Sequence, residues 1–138
     1  LVLNHYGADA WNGSVHSEVP DTHSADSLDR LIRSIQTEVY RQHKVILTAI
    51  GVYSVNTKDE EIIAAQKKVR EIVFAHEHVT QLHGFYLVRE PKTLRFDLVV
   101  SFNAKDRRAV FAEAVADVQK AFPDYELQTV LDTDFAEE

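Results

Sequence analysis

The spacing of apolar positions changes period several times along the chain, and each change marks an element. Val15, Ser17 and Val19 fall on one face of an extended segment and Ser14, His16 and Glu18 on the other, so Gly13–Pro20 reads as a strand that Pro20 stops. The period then lengthens. Leu28, Leu31, Ile32, Ile35 and Val39 recur at helical spacing, which predicts a helix from about Asp26 to Gln42 with a buried stripe, capped by Ser24 or Asp26. Val45–Tyr53 (VILTAIGVY) is almost continuously apolar and rich in β-branched residues, and reads as a central strand buried on both faces. Ahead of all this, Leu1–His5 reads as a short edge strand and Tyr6–Asn12 as a hairpin loop.

The same sequence of periods then recurs. Thr57 to Glu60 is a T-x-x-E capping box, and it opens a helix with Ile62, Ile63, Gln66, Val69, Ile72 and Val73 on one side. Val79–Arg89 is a strand, Glu90–Lys92 a turn, and Leu94–Phe102 a return strand with Leu94, Phe96, Leu98, Val100 and Phe102 on one face. Asn103 is the expected cap of a third helix, Asp106–Phe122, with a stripe of Val110, Phe111, Ala114, Val115, Val118 and Phe122. Pro123 ends it, and Glu126–Leu131 is a last strand. One offset, 81 residues, relates His16 to Asp97, Gly51 to Asp132 and Tyr53 to Asp134, which argues for an internal duplication. The expected fold is therefore α+β: two ferredoxin-like split βαβ units with helices on one face of each sheet. The first unit spans residues 1–57 and lacks its leading helix; the second, 58–138, reads α-β-β-α-β.

Composition narrows the function. At 138 residues, 45% hydrophobic and 27% charged, the chain suits one ordinary domain or two very small ones. A net charge of −7 argues against a nucleic-acid partner and is compatible with attracting cations. With no Cys there is neither a disulfide nor a thiolate metal site. No apolar run approaches the roughly 20 residues that cross a bilayer. The chain starts at Leu1 and contains no Met, so it is expected to be a piece of a longer polypeptide whose membrane spans would lie upstream. Gly-rich phosphate loops, G-x-S-x-G elbows and Cys nucleophiles are all absent, and the expectation is that the protein is not an enzyme.

The chemistry that remains is that of ligands. His16 and Glu18 share one face of a strand, and Asp132 and Asp134 do the same near the C-terminus. Carboxylates two apart on a strand end, with an imidazole nearby, make a plausible divalent-ion site. On spacing alone, solvated polar faces of half-buried strands are the plainer account. His76-x-His78 at a helix end could chelate in a loop, though a solvated helix terminus is plainer there too. Asp97 beside Arg95 reads as a surface pair, and His83 as a ligand or a sheet-face residue.

LVLNHYG followed by GSVHSEVP, a helix and an apolar strand resembles the cytoplasmic domain of cation diffusion facilitator transporters, most of all bacterial members with a duplicated C-terminal region. LHGFYLVRE, RFDLVVSF and the closing LDTDF carry the likeness through the second copy. The resemblance implies a ferredoxin-like domain that forms homodimers on the cytoplasmic face of the membrane, attached to an upstream transmembrane domain, and binds zinc or related divalent cations. Residue by residue, it places a ligand at His16 and another near Asp29. The family's H-x-D pair falls on Gly51 and Tyr53, so the first-copy site looks dismantled. In the second copy it places ligands at Asp97, Asp132 and Asp134, with His83 near the hairpin, an oxygen-rich set suited to manganese or weakly held zinc. The implied function is regulation and dimerisation of a divalent-cation efflux transporter. A stand-alone small-molecule sensor and a purely structural dimerisation module are the alternatives.

Overall fold

The computed structural model describes residues 1–132. Asp134, and with it the last of the sequence-derived ligand positions, lies outside the described residues. The fold is α+β, with two three-stranded sheets and three helices. The chain divides into two compact units, Leu1–Val55 and a second beginning at Asn56.

The first unit runs β1 (Val2–His5), β2 (Trp11–Pro20), α1 (Ala25–His43) and β3 (Val45–Val55). Its sheet order is β1-β2-β3, with β1 antiparallel and β3 parallel to β2. Ser24 caps α1, its side chain accepting from the Ser27 backbone N–H at 3.1 Å. The expected stripe on α1 is present, but Leu28, Leu31, Ile32, Ile35 and Val39 are half-buried and no residue of the helix is fully buried. Contrary to expectation, β3 is an edge strand; of its residues only Leu47 is buried. An apolar run reports attraction to a core, but it does not say which strands stand on either side. Thr48 is the extra residue of a bulge opposite Gly13–Ser14, and its hydroxyl donates to the Gly13 carbonyl at 3.0 Å.

The second unit runs α2 (Glu60–Val73), β4 (Val79–Arg89), β5 (Lys92–Val100), α3 (Arg107–Ala121) and β6 (Glu126–Asp132). Its sheet order is β4-β5-β6, again antiparallel and then parallel. β5 is the strand buried on both faces: Leu94, Phe96, Leu98 and Val100 have no exposure on one side, and Asp97 and Val99 are buried on the other. α2 packs on β4 and on α3, and α3 on β5 and β6. Val69, Val73, Ala114 and Val118 complete a contiguous core with the β5 residues.

Three local expectations are corrected. Thr57 does not cap α2: Asn56 Oδ1 accepts from the backbone N–H groups of Lys58 and Asp59, which moves the cap to Asp59, whose carboxylate accepts from Glu61 and Ile62. Asn103 does not cap α3, because Asp106 accepts from the Ala109 N–H at 2.9 Å. Phe102 lies past the end of β5 and is 53% exposed, with the Arg107 guanidinium over its ring at 4.3 Å.

Candidate functional site

Of the residues suggested by the sequence, His16, Glu18, His83, Asp97 and Asp132 lie on the sheet faces opposite the helices. In the first unit, residues alternate from Gly13, buried beside Leu47, so His16 and Glu18 point the other way. Parallel pairing sets Gly51 beside His16 and Tyr53 beside Glu18. The His16 imidazole lies against Gly51. A Cβ added at Gly51 would come within 2.1 Å of His16 Cδ2, so the imidazole would have to move aside for any larger residue here. The Tyr53 ring flanks the same imidazole, with centroids 5.4 Å apart and planes 32° from parallel. Thus the two positions at which the resemblance would put ligands carry a hydrogen and an aromatic ring, and both serve to pack His16. Asp29, the approximate counterpart of the family's helix ligand, is engaged at 2.8 Å by Arg33 one turn further along α1.

In the second unit His83 and Asp97 sit directly opposite each other on β4 and β5, so their side chains share the face away from the helices. Asp97 is 7% exposed, which excludes the solvated pair with Arg95 that the sequence suggested. His83 is half-buried. The register of the closing strand differs from a uniform 81-residue offset. Gly51 lies opposite His16, but Val130, not Asp132, lies opposite Asp97. Asp132 pairs with Val99, which is the place Tyr53 takes beside Glu18 in the first unit. His83, Asp97 and Asp132 therefore share a face, with Asp132 two residues along from the rung that joins the other two. The end of β6 is tied down by Arg107, whose Nη2 donates to the Asp132 carbonyl at 3.2 Å while its Nε donates to the Val100 carbonyl at 2.7 Å.

The Arg89 guanidinium of β4 is committed to the start of α2. It holds Asp59 at 2.7 Å and Glu61 at 3.0 Å. The same hydrogen bonds from Arg89, helped by the helix N–H groups, keep the Asp59 carboxyl below the ordinary aspartate range. Among the described residues no three His, Asp or Glu side chains are grouped closely enough to hold an ion.

His76 and His78 form no chelating pair. His76 Nε2 meets Asp117 Oδ2 at 3.0 Å, joining the end of α2 to α3, and His78 adopts a left-handed backbone with φ 74°. Asp117 is held below its ordinary range first by Lys120 and then by His76. The His76–Asp117 contact spans 41 residues, so no local spacing signals it. Gly51, read from the sequence as a lost ligand, gave no sign of being a seat for an imidazole.

No family model matches the chain, and neither a curated protein nor a solved structure does.

Proposed function

We propose that the chain is a cation-responsive association domain of a divalent-cation exporter, working as a homodimer on the cytoplasmic face of a membrane beside spans supplied upstream in the polypeptide. The observation that carries this reading is the cross-strand pair of His83 and Asp97, with Asp132 on the same sheet face. His83 and Asp97 would supply one nitrogen and one oxygen donor suited to zinc or manganese; Asp132, which does not stand close enough to make a third as the structure lies, would have to close onto the ion, with the remaining positions left to water, to Asp134 or to a second copy. Paired homologous units and the GSVHSEVP motif support the same reading. No helix among the described residues is long and apolar enough to cross a membrane, so any transport path would belong to other parts of such a protein.

Calorimetric titration and thermal melts with zinc and manganese test this proposal. The expected result is binding of modest affinity that raises the melting point; at a hundredfold excess over Kd the stabilisation is about 2.7 kcal/mol. Asp97→Asn and Asp132→Asn should each abolish the rise, whereas His16→Ala should leave it intact. A parent chain whose melting point ignores every divalent ion would leave a purely structural dimerisation module. The packing of His16 onto Gly51 and Tyr53 favours that second reading for the first unit.

A further inference from the structure

Four described strands stand at sheet edges, and three of them are blunted. β1 has only 4 residues, β4 carries Arg89 and two irregularities in its pairing with β5, and β6 carries Glu126 and Asp132. Short length, bulges and charge are the devices that keep an open edge from pairing with another chain. β3 has little of this protection. Over its 11 residues it holds no charged side chain, no histidine and no proline, and its bulge, at Thr48, lies in the first half. Its ends are engaged within its own unit. The Gln36 side chain donates to the Leu47 carbonyl at 3.0 Å, and the Asp21 N–H donates to the Val55 carbonyl at 3.0 Å. Between them, Ala49–Ser54 has β2 on one side and, among the described residues, no strand on the other.

We propose that Ala49–Val55 pairs antiparallel with the same segment of a second copy of the chain, joining two three-stranded sheets into one continuous sheet. Charge selects this occupant. Each copy carries a net charge of −7, so two copies repel unless the surfaces they bring together are free of charge. β3 is the long edge that can meet itself without opposing like charges, whereas β6 against itself would add Glu126 and Asp132 to the repulsion. Symmetry then limits the register. Opposed residues must share a face, and faces alternate along a strand, so the twofold axis passes through a residue. With Val52 on the axis, Tyr53 of each copy stands opposite Gly51 of the other, an aromatic ring beside the one position of the strand that has no side chain. The next rungs oppose Ile50 to Ser54 and Ala49 to Val55, a larger side chain to a smaller one each time. An axis through Gly51 would instead oppose two glycines. The His16 ring lies against Gly51 on this face, so the pairing carries the contact of His16 with Tyr53 on across the axis. This inference rests on the homodimer of the proposed function, and not on its cation.

The chain has no cysteine, so a single introduced one reports on the pairing without background. All measurements are made in EDTA, which separates this contact from one built by metal. The 138-residue chain should be a dimer by light scattering. Val52→Cys puts two thiols across the axis, their Cα atoms about 5 Å apart, and should form an intermolecular disulfide under mild oxidation. Ala49→Cys leaves its two thiols about 20 Å apart along the strands and should not. Mixed with a Val55→Cys chain it should cross-link, since antiparallel pairing opposes those two positions. Ala49→Lys combined with Ser54→Lys, both at exposed positions, should leave far-ultraviolet ellipticity unchanged and make the chain monomeric. A monomer at every concentration, a dimer indifferent to the two lysines, or a dimer that cross-links alike from positions 49 and 52 overturns the inference. None of these outcomes touches the cation reading, which the melting point with zinc or manganese decides. A chain that ignores those ions but cross-links at Val52 loses the cation and keeps the contact.

Discussion

A glycine and a histidine that touch across two strands show how a position that sequence likeness marks for a ligand can be taken up by packing. His16 lies on Gly51 and beside Tyr53, so one side of its ring is packed. Gly51→Ala would push a methyl group into that ring. Because His16 is exposed, the ring can swing away, and the cost should stay near 1 kcal/mol. In a His16→Ala background the cost should vanish, which a double-mutant cycle in urea reads directly. Asp97 teaches the opposite lesson. Beside Arg95 in the sequence it looked like a surface charge, and only the pairing of β5 on both sides reveals that it is buried. Alternation along a strand assigns a residue to a face, but whether that face is covered depends on parts of the chain that alternation does not describe.

At the scale of elements, strand and helix positions were largely legible because each rests on a local period. Val79–Arg89 falls where its alternation put it, and α1 extends only a residue beyond its expected bounds at either end. Caps were harder to place, since several polar side chains compete for the same backbone N–H groups; Asn56 took those nearest Thr57 and left Asp59 to cap α2. That cap couples the stability of α2 to pH. The Asp59 carboxyl lies below its unfolded value because Arg89 and the helix N–H groups favour the charged form. Its contribution is thus present above the unfolded aspartate value, about pH 4, and is lost as pH falls through the lower folded value. Replacing Arg89 with Leu should lower stability at neutral pH and flatten its fall with acid, as measured by urea melts across that window. Packing separates the helices further. Val118→Ala in α3 empties a fully buried position and should cost about 2 kcal/mol, whereas Val39→Ala in the half-buried stripe of α1 should cost about half that. Equal losses in chemical denaturation would mean that α1 is better covered than its exposure indicates.

For the whole molecule, the repeated plan was readable from recurrence of the same periods, while the inequality of the two units was not. The second unit has a contiguous core running through α2, β4, β5 and α3, whereas the buried apolar side chains of the first are Val19 and Leu47. A uniform offset also hid the different register of the closing strands, because a repeat in sequence does not record the bulge at Thr48 or the extra length of α1. Opening free energies follow buried apolar contacts. Amide hydrogens of β2 and α1 should therefore exchange well ahead of those of β5 and α3, and thermal unfolding followed at Trp11 should precede loss of far-ultraviolet ellipticity. Coincident transitions and uniform exchange would show one cooperative body instead.

In both units the middle strand receives its second partner only after the chain has passed through a helix, since β3 follows α1 and β6 follows α3. Vectorial synthesis turns this arrangement into a schedule. At roughly 5–20 residues per second, the stretch from the end of β5 to the end of β6 occupies a ribosome for about 2–6 seconds, and throughout that time β5 has only one neighbour. The middle strand of the first unit waits about as long for β3, but the second unit has the larger apolar surface to leave uncovered meanwhile, Leu94, Phe96 and Leu98 among it, so the burden on holding chaperones falls on the half of the protein that ends with the larger core.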